Sequence, residues 1–145
     1  MNKDLQIAKK TVQVEINALK KLSASFNRSS QFSKAVNLIS KTKGKIFVVG
    51  VGKSNMVGNK VSSTLSSLGT PSVAFNAADL QHGDLGAIQK NQDILLVFSV
   101  SGESSELNSI LKYANRYNVP IIGVSCKPSS SLLLHSTIKI LLPRV

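Results

Sequence analysis

Two apolar runs that each break into a glycine-bearing polar turn constrain this chain more than any other feature. Lys45-Ile46-Phe47-Val48-Val49 leads into Gly50-Val51-Gly52-Lys53-Ser54. Asp93-Ile94-Leu95-Leu96-Val97-Phe98 leads into Ser99-Val100-Ser101-Gly102-Glu103-Ser104-Ser105-Glu106. Continuous β-branched and large apolar residues, without polar alternation, read as strands covered on both faces, the habit of parallel sheets. In open α/β sheets, ligands bind at the carboxyl ends of strands, and the N–H groups of a helix start attract anions. Both turns are therefore expected to face one small anionic ligand.

The rest of the chain fits that frame. From Lys3 to Leu22 the residues Leu5, Ile7, Ala8, Val12, Val14, Ile16, Leu19 and Leu22 recur mostly at helical steps with lysines between them, which predicts an amphipathic helix. Ser23 to Ser30 holds a break, and Ser30 is the expected cap of a second helix to about Lys41, with Phe32, Ala35, Val36, Leu38 and Ile39 on its apolar side. Such a pair packs on a sheet or on a second subunit. Strands follow at Ile46 to Val51, Ser72 to Phe75, Ile94 to Phe98, Pro120 to Ser125 and Ile138 to Leu142. Helices are expected at Asn55 to Leu68, Ser104 to Tyr117 and Ser130 to His135. Gly69-Thr70-Pro71 stops the first of these. The expected fold class is α/β: a three-layer α/β/α sandwich of about five parallel strands preceded by two helices, with residues 1–43 as a helical segment and 44–145 as the sheet domain.

At 145 residues the chain has the size of one domain. Hydrophobic content is 42%, and no apolar run approaches the ~20 residues of a membrane span. Met1-Asn2-Lys3-Asp4 lacks the apolar region of a signal peptide, so a cytoplasmic location without membrane partners is expected. Eighteen basic against seven acidic residues give +11, which raises nucleic-acid binding as a third functional class. The lysines are spread over the first helices, and aromatics make up only 5%, so a solvated face is expected rather than a nucleic-acid platform. The field still favours anionic metabolites. Cys126, the single cysteine, excludes an internal disulfide and reads as a half-buried thiol.

Spacing excludes two nucleotide motifs. A P-loop ending in Gly52-Lys53-Ser54 needs glycine at position 47, where Phe47 stands, and a dinucleotide fingerprint from Gly50 needs it at Asn55. What remains is a tight turn with Lys53 as a point charge or acid and Ser54 as a hydroxyl. In the second turn Ser99, Ser101, Ser104 and Ser105 surround Gly102, so hydroxyls and helix-start N–H groups can converge on a phosphate. Glu103 and Glu106 suit the first turn of the following helix through its dipole. His82, in His82-Gly83-Asp84-Leu85-Gly86, is either a ligand contact and proton shuttle or a turn cap. His135, beside Leu132-Leu133-Leu134, is expected to be structural. No zinc-type cluster or Ser–His–Asp set is readable, so no metal and no other cofactor is expected.

Gly50-Val51-Gly52-Lys53-Ser54, Leu68-Gly69-Thr70-Pro71-Ser72, His82-Gly83-Asp84-Leu85-Gly86, Ser99 to Glu106 and Val119-Pro120-Ile121-Ile122-Gly123-Val124 occur in the order and spacing of the sugar isomerase (SIS) domain. The chain most resembles the D-arabinose 5-phosphate isomerases of the KpsF/GutQ family. The resemblance implies a SIS fold, a phosphosugar ligand and interconversion of D-ribulose 5-phosphate with D-arabinose 5-phosphate. By position it implies catalytic roles for Lys53 (charge stabilisation or ring opening) and Glu106 (proton transfer or orienting a partner). Gly69, Thr70 and His82 match substrate contacts, and Ser54, Ser99, Ser101 and Ser104 match the phosphate-binding region. Three departures stand out. Asn76 replaces a histidine proposed to bind an inhibitory metal, Val100 replaces an asparagine, and the sequence stops at Val145, where family members continue into a segment with a further catalytic glutamate and histidine. The resemblance thus implies either an isomerase, completed by a separate chain or another subunit, or a non-catalytic phosphosugar-binding module or inactive remnant. It also implies a homo-oligomer.

Overall fold

The computed structural model describes residues 2–26 and 30–144, with side chains except those of Gln81 and His82. The break expected at Ser23 to Ser30 lies in part, at 27–29, outside the described residues. Helix α1 (Lys3–Phe26) is longer than its periodicity suggested, and α2 (Gln31–Lys41) follows. Ser30 occupies the cap position of α2, but its hydroxyl makes no cap bond because its backbone is already helical.

From there strand and helix alternate: β1 (Ile46–Gly50), α3 (Lys53–Ser67), β2 (Ser72–Asn76), β3 (Ile94–Phe98), α4 (Leu107–Tyr117), β4 (Ile121–Ser125), α5 (Ser131–Leu134) and β5 (Ile138–Leu141). Two short 3-10 turns, Asp79–His82 and Asp84–Ala87, lie between β2 and β3; their few apolar residues carry no periodic signal. All five strands pair in parallel in the order β2-β1-β3-β4-β5. This is the five-strand parallel α/β fold expected from the apolar runs.

Successive residues of a strand point to opposite faces, and the interior divides accordingly. Phe47, Val49, Leu95, Val97 and Ile121 pack with Leu107, Ile110, Leu111 and Ala114 of α4, Leu132 of α5 and Leu80 and Ile88 of the turn region. On the other face Ile46, Val48, Ile94, Leu96, Ile122 and Val124 pack with Ala35 of α2 and Val61 and Leu65 of α3. Each fully buried aliphatic side chain contributes about 1.5–3 kcal/mol. β1 and β4 are buried along their whole length, whereas edge strand β2 is half-buried throughout.

At the amino end of the sheet, Asp93 is 3% exposed. Its carboxylate accepts the N–H groups of Lys45 and Gln89, both at 2.6 Å. A buried carboxylate is tolerable only with such donors, and here it ties the entries to β1 and β3 together. α3 stops where Gly69-Thr70-Pro71 predicts: Gly69 N–H donates to Ser66 and Thr70 N–H to Leu65, the paired bonds of a Schellman ending. α1 has no buried residue.

Candidate functional site

The chain enters β1, crosses to β2 on one side, then returns to place β3 on the other side of β1. That reversal is a topological switch point, and in sheets of this strand order the ligand crevice opens beyond the carboxyl ends of β1 and β3. Val49 pairs with Val97, so Gly50–Ser54 and Ser99–Ser105 leave the sheet as neighbours. The helices they feed diverge, α3 covering one face and α4 the other. Their loops therefore form the two walls of the crevice.

In the first wall, a Cβ on Gly50 would stand 2.7 Å from the N of Asn55, so only glycine lets the loop fold back this tightly. α3 begins at Lys53, two residues earlier than expected, which puts Lys53 and Ser54 on the first helical turn. The N–H groups of Ser54, Asn55 and Met56 donate to the loop carbonyls of Val51 and Gly52. This wall offers its side chains to a ligand, with those three amides already used. Lys53 is exposed and Ser54 half-buried.

The second wall is braced from within. Ser99 is buried; its Oγ accepts the Gly102 N–H at 3.0 Å and lies 3.4 Å from Ser104 Oγ. Ser101 Oγ accepts the Glu103 N–H at 3.3 Å. Gly102 has φ +65°, and a Cβ there would run into Ser130 and stand 2.9 Å from Ser125 Oγ. Ser125, 1% exposed, donates to the Val100 carbonyl at 3.1 Å and accepts the Lys127 N–H at 3.3 Å. The helix expected from Ser104 instead begins at Leu107, the first residue whose side chain reaches the core, and Ser104 to Glu106 form a turn closed by the Leu107 and Asn108 N–H groups.

This shift separates the two acids of the loop. Glu106 takes the cap position of α4, half-buried, with Ser105 Oγ donating to its carboxylate at 3.1 Å. Glu103 lies outside the helix, where the first-turn expectation fails. Its carboxylate pairs with Lys127 Nζ at 2.7 Å and accepts the Ser131 N–H at 3.3 Å. The hydrogen bond from Lys127, and then that from Ser131, hold it below the ordinary carboxylate range. Glu103 thus fastens the serine loop to α5.

Between the walls is a cavity of about 160 Å³ lined by Ser54 and Val57 of α3, Ser99 and Val100 of the second loop, Ser125 and Cys126 beyond β4, Phe98, Val124 and Leu142. It brings together Ser54 and Ser99, which sequence alone left on separate loops. Lys53, Ser101, Ser104 and Glu106 belong to the same two loops. Gly69 and Thr70 do not come to this end: they follow the far end of α3, whose 15 residues span ~22 Å, and Ile46 at the entry of β1 donates to Pro71 beside them. The backbone of His82 closes the 3-10 turn after β2; its side chain lies outside the described residues. Asn76 ends β2 and caps the turn, its Oδ1 accepting the Ala78 N–H. His135 Nδ1 meets the Ser131 carbonyl at 2.8 Å, the structural role expected.

Sequence reading left Ser125 unassigned and took Cys126 only as a half-buried thiol; both reach the cavity through the end of β4, just past the Val119 to Val124 motif. Asn55 Oδ1 is buried without a hydrogen-bond partner among the described residues, and a buried orphan acceptor costs ~1–3 kcal/mol.

A parallel α/β sheet with small, hydroxyl-rich loops at its switch point is an arrangement that can receive a small anionic ligand. Residues 38–145 match the SIS domain family, and the chain belongs to that family. It is 38% identical over 125 residues to the arabinose 5-phosphate isomerase KdsD of Pseudomonas aeruginosa, covering 86% of this chain and 37% of that protein. With KdsD of Escherichia coli K12 it shares 35% identity over 127 residues, covering 88% of this chain and 38% of the enzyme. The chain spans about two fifths of the length of the curated relatives it matches. Among solved structures, an Escherichia coli CFT073 protein in complex with arabinose 5-phosphate superposes with a TM-score of 0.84 at 26% identity, over all of this chain and 77% of that one. A putative sugar-phosphate isomerase from Listeria monocytogenes gives 0.85 at 29%, over 95% of this chain and 72% of that one. Among the described residues, no helix is long and apolar enough to cross a membrane.

Proposed function

We propose that this chain binds a phosphosugar in the crevice between Gly50–Ser54 and Ser99–Glu106, and that the ligand class is the pentose 5-phosphate pair D-arabinose 5-phosphate and D-ribulose 5-phosphate. The observation that carries the reading is the side-by-side exit of the two polar loops from β1 and β3 at the switch point, supported by the relatives named arabinose 5-phosphate isomerase. Ser54, Ser99, Ser101 and Ser104 hold the phosphate. Lys53, as a mobile ammonium on the first turn of α3, stabilises negative charge on the sugar oxygen or assists ring opening. Glu106 moves a proton between C1 and C2 through an enediol, or orients the group that does so. His82 is a further ligand contact. Gly69 and Thr70 meet the ligand only from another copy of the chain.

Aldose–ketose isomerisation and binding without turnover are the two activities this site supports. Val100 favours the second: it sets an apolar, 70% exposed side chain where a polar one would serve a sugar hydroxyl. Incubation with ribulose 5-phosphate while following arabinose 5-phosphate separates them. Turnover that Lys53→Ala abolishes establishes the isomerase; ligand-dependent thermal stabilisation without turnover establishes the binding module. Neither effect at millimolar phosphosugar overturns both. On the binding side, Lys53→Ala is expected to raise the Kd about tenfold or more, the scale of one charged hydrogen bond, with stability changed by less than ~0.5 kcal/mol because the side chain is exposed. The reading also has the chain acting in the cytoplasm, where sugar phosphates are held, and associating with copies of itself. Within it, residues 1–43 serve as the helical segment and 44–145 as the ligand-binding unit.

A further inference from the structure

The end of the sheet opposite the crevice carries a second cavity, which the phosphosugar reading leaves unused. It measures about 280 Å³ and opens where the chain enters β1, β3 and β4, just under the roughly 300–1,000 Å³ of small-molecule sites. Lys41, Lys43, Asn91, Gln92 and Asn118 give it a polar side, and Leu38, Ile94 and Pro120 an apolar one. The five residues of β1 separate it from the loops at the carboxyl end, a distance of roughly 17 Å.

The charge around this cavity is one-sided. Lys41 ends α2 and Lys43 follows it, while Lys90 and Arg116 adjoin the turns that supply Asn91 and Asn118. Lys90 Nζ lies 3.6 Å from the centre of the Tyr117 ring and the Arg116 guanidinium 5.5 Å from it, which ties the turn before β3 to the end of α4. Among the described residues none of these four cations has a carboxylate within ion-pairing distance. Asp93 also lines the cavity, but it is 3% exposed and both its oxygens accept backbone N–H groups. Helix dipoles account for Lys41 and Arg116, which stand in the last turns of α2 and α4. Lys43 and Lys90 belong to no helix.

The uncharged groups narrow the ligand further. Asn91 and Asn118 have left-handed backbones, with φ +64° and +55°. Glycine meets that requirement at least cost; asparagine meets it and adds a side chain with both donors and an acceptor. Among the described residues, the side-chain amides of Asn91, Gln92 and Asn118 have no hydrogen-bond partner within the protein. We propose that this cavity is a mononucleotide site. Lys41 and Lys43 hold the phosphate, the three amides read the edge of the base, and Leu38 and Pro120 take its flat face. Amide side chains pair with adenine through an adjacent donor and acceptor, and a lysine ammonium suits a phosphate. Inorganic phosphate would leave the amides and the apolar side unused. The site is independent of what the crevice at the other end binds.

Calorimetric titration of the full chain with adenosine 5′-monophosphate (AMP) tests this. AMP is expected to bind at sub-millimolar concentration, with adenosine and inorganic phosphate each at least about tenfold weaker. Lys41→Ala/Lys43→Ala is expected to weaken AMP binding about 100-fold, the scale of two charged contacts. Asn118→Gly is expected to weaken it about tenfold; because glycine adopts the left-handed backbone, the variant keeps its circular dichroism and melting temperature. Gln92→Ala, at an exposed side chain, repeats that loss without touching a left-handed residue. Lys53→Ala, at the other end of the sheet, leaves AMP binding unchanged. No binding of millimolar AMP overturns the site, and so does binding lost in Lys53→Ala but kept in Lys41→Ala/Lys43→Ala. Equal affinity for inorganic phosphate and AMP, or indifference to both Asn118→Gly and Gln92→Ala, overturns the nucleotide class. A chain that binds AMP in this pattern but no phosphosugar leaves this site standing and removes only the reading of the crevice.

Discussion

Gly102 shows how much of the site rests on single positions. Its left-handed backbone and the absence of a side chain let the serine loop lie directly on Ser125 and Ser130. Gly102→Ala is expected to cost about 2–3 kcal/mol through strain and collision, or roughly 5–10 °C in Tm for a domain of this size, measurable by thermal melting. Phosphosugar binding should fall with it, since Ser99 braces the same loop. The glycine was visible in the sequence as turn chemistry. The serines beneath it were not, because they come from the end of β4 and the cap of α5, far away along the chain. Asn55 was likewise legible only as the residue that spoiled a fingerprint, since an unpaired buried oxygen is a property of packing.

At the scale of elements, the strands were legible to within a residue or two, because apolar runs report burial directly. Helix starts were less so. α3 begins two residues early, with Gly52 at its cap position, and α4 begins three residues late, after a turn in which the Ser104 and Ser105 carbonyls accept the Leu107 and Asn108 N–H groups. That delay gives Glu103 a different task from Glu106. Since Glu103 is held below the usual carboxylate range by Lys127 and Ser131, its contribution to stability is full above the unfolded value of 4.5 and is lost as pH falls through the lower folded value. The Tm difference between wild type and Glu103→Gln is therefore expected to be constant above pH ~5 and to shrink below pH ~4. A difference unchanged on acidification would remove the ion pair from the account.

Across the whole molecule, the sheet separates two cores whose side chains do not mix. Ile110→Val on the α4 face and Ile138→Val on the α2–α3 face should each cost ~0.5–1.5 kcal/mol. In combination they should add to within ~0.5 kcal/mol, as independent sites do; denaturant titration of the four proteins gives the coupling. The parallel topology itself could be anticipated from alternating strands and helices, and so could the end of the sheet at which the two polar loops meet. The placement of Gly69 and Thr70 at the other end was implicit in reading Gly69-Thr70-Pro71 as the stop of α3, whereas the resemblance grouped them with the ligand contacts.

The divergence of α3 and α4 from neighbouring strands gives the crevice a mechanical character. One wall is continuous with the helical layer on the upper side of the sheet and the other with the layer on the lower side, so a molecule gripped by both acts as a rivet through two otherwise separate laminae. Its grip should be felt far from the phosphate: amide hydrogens of Ile110 to Ala114 and of Val61 to Leu65, on opposite sides of the sheet, should slow their exchange together when phosphosugar is added. A ligand held by one loop alone would quiet one layer and leave the other as it was.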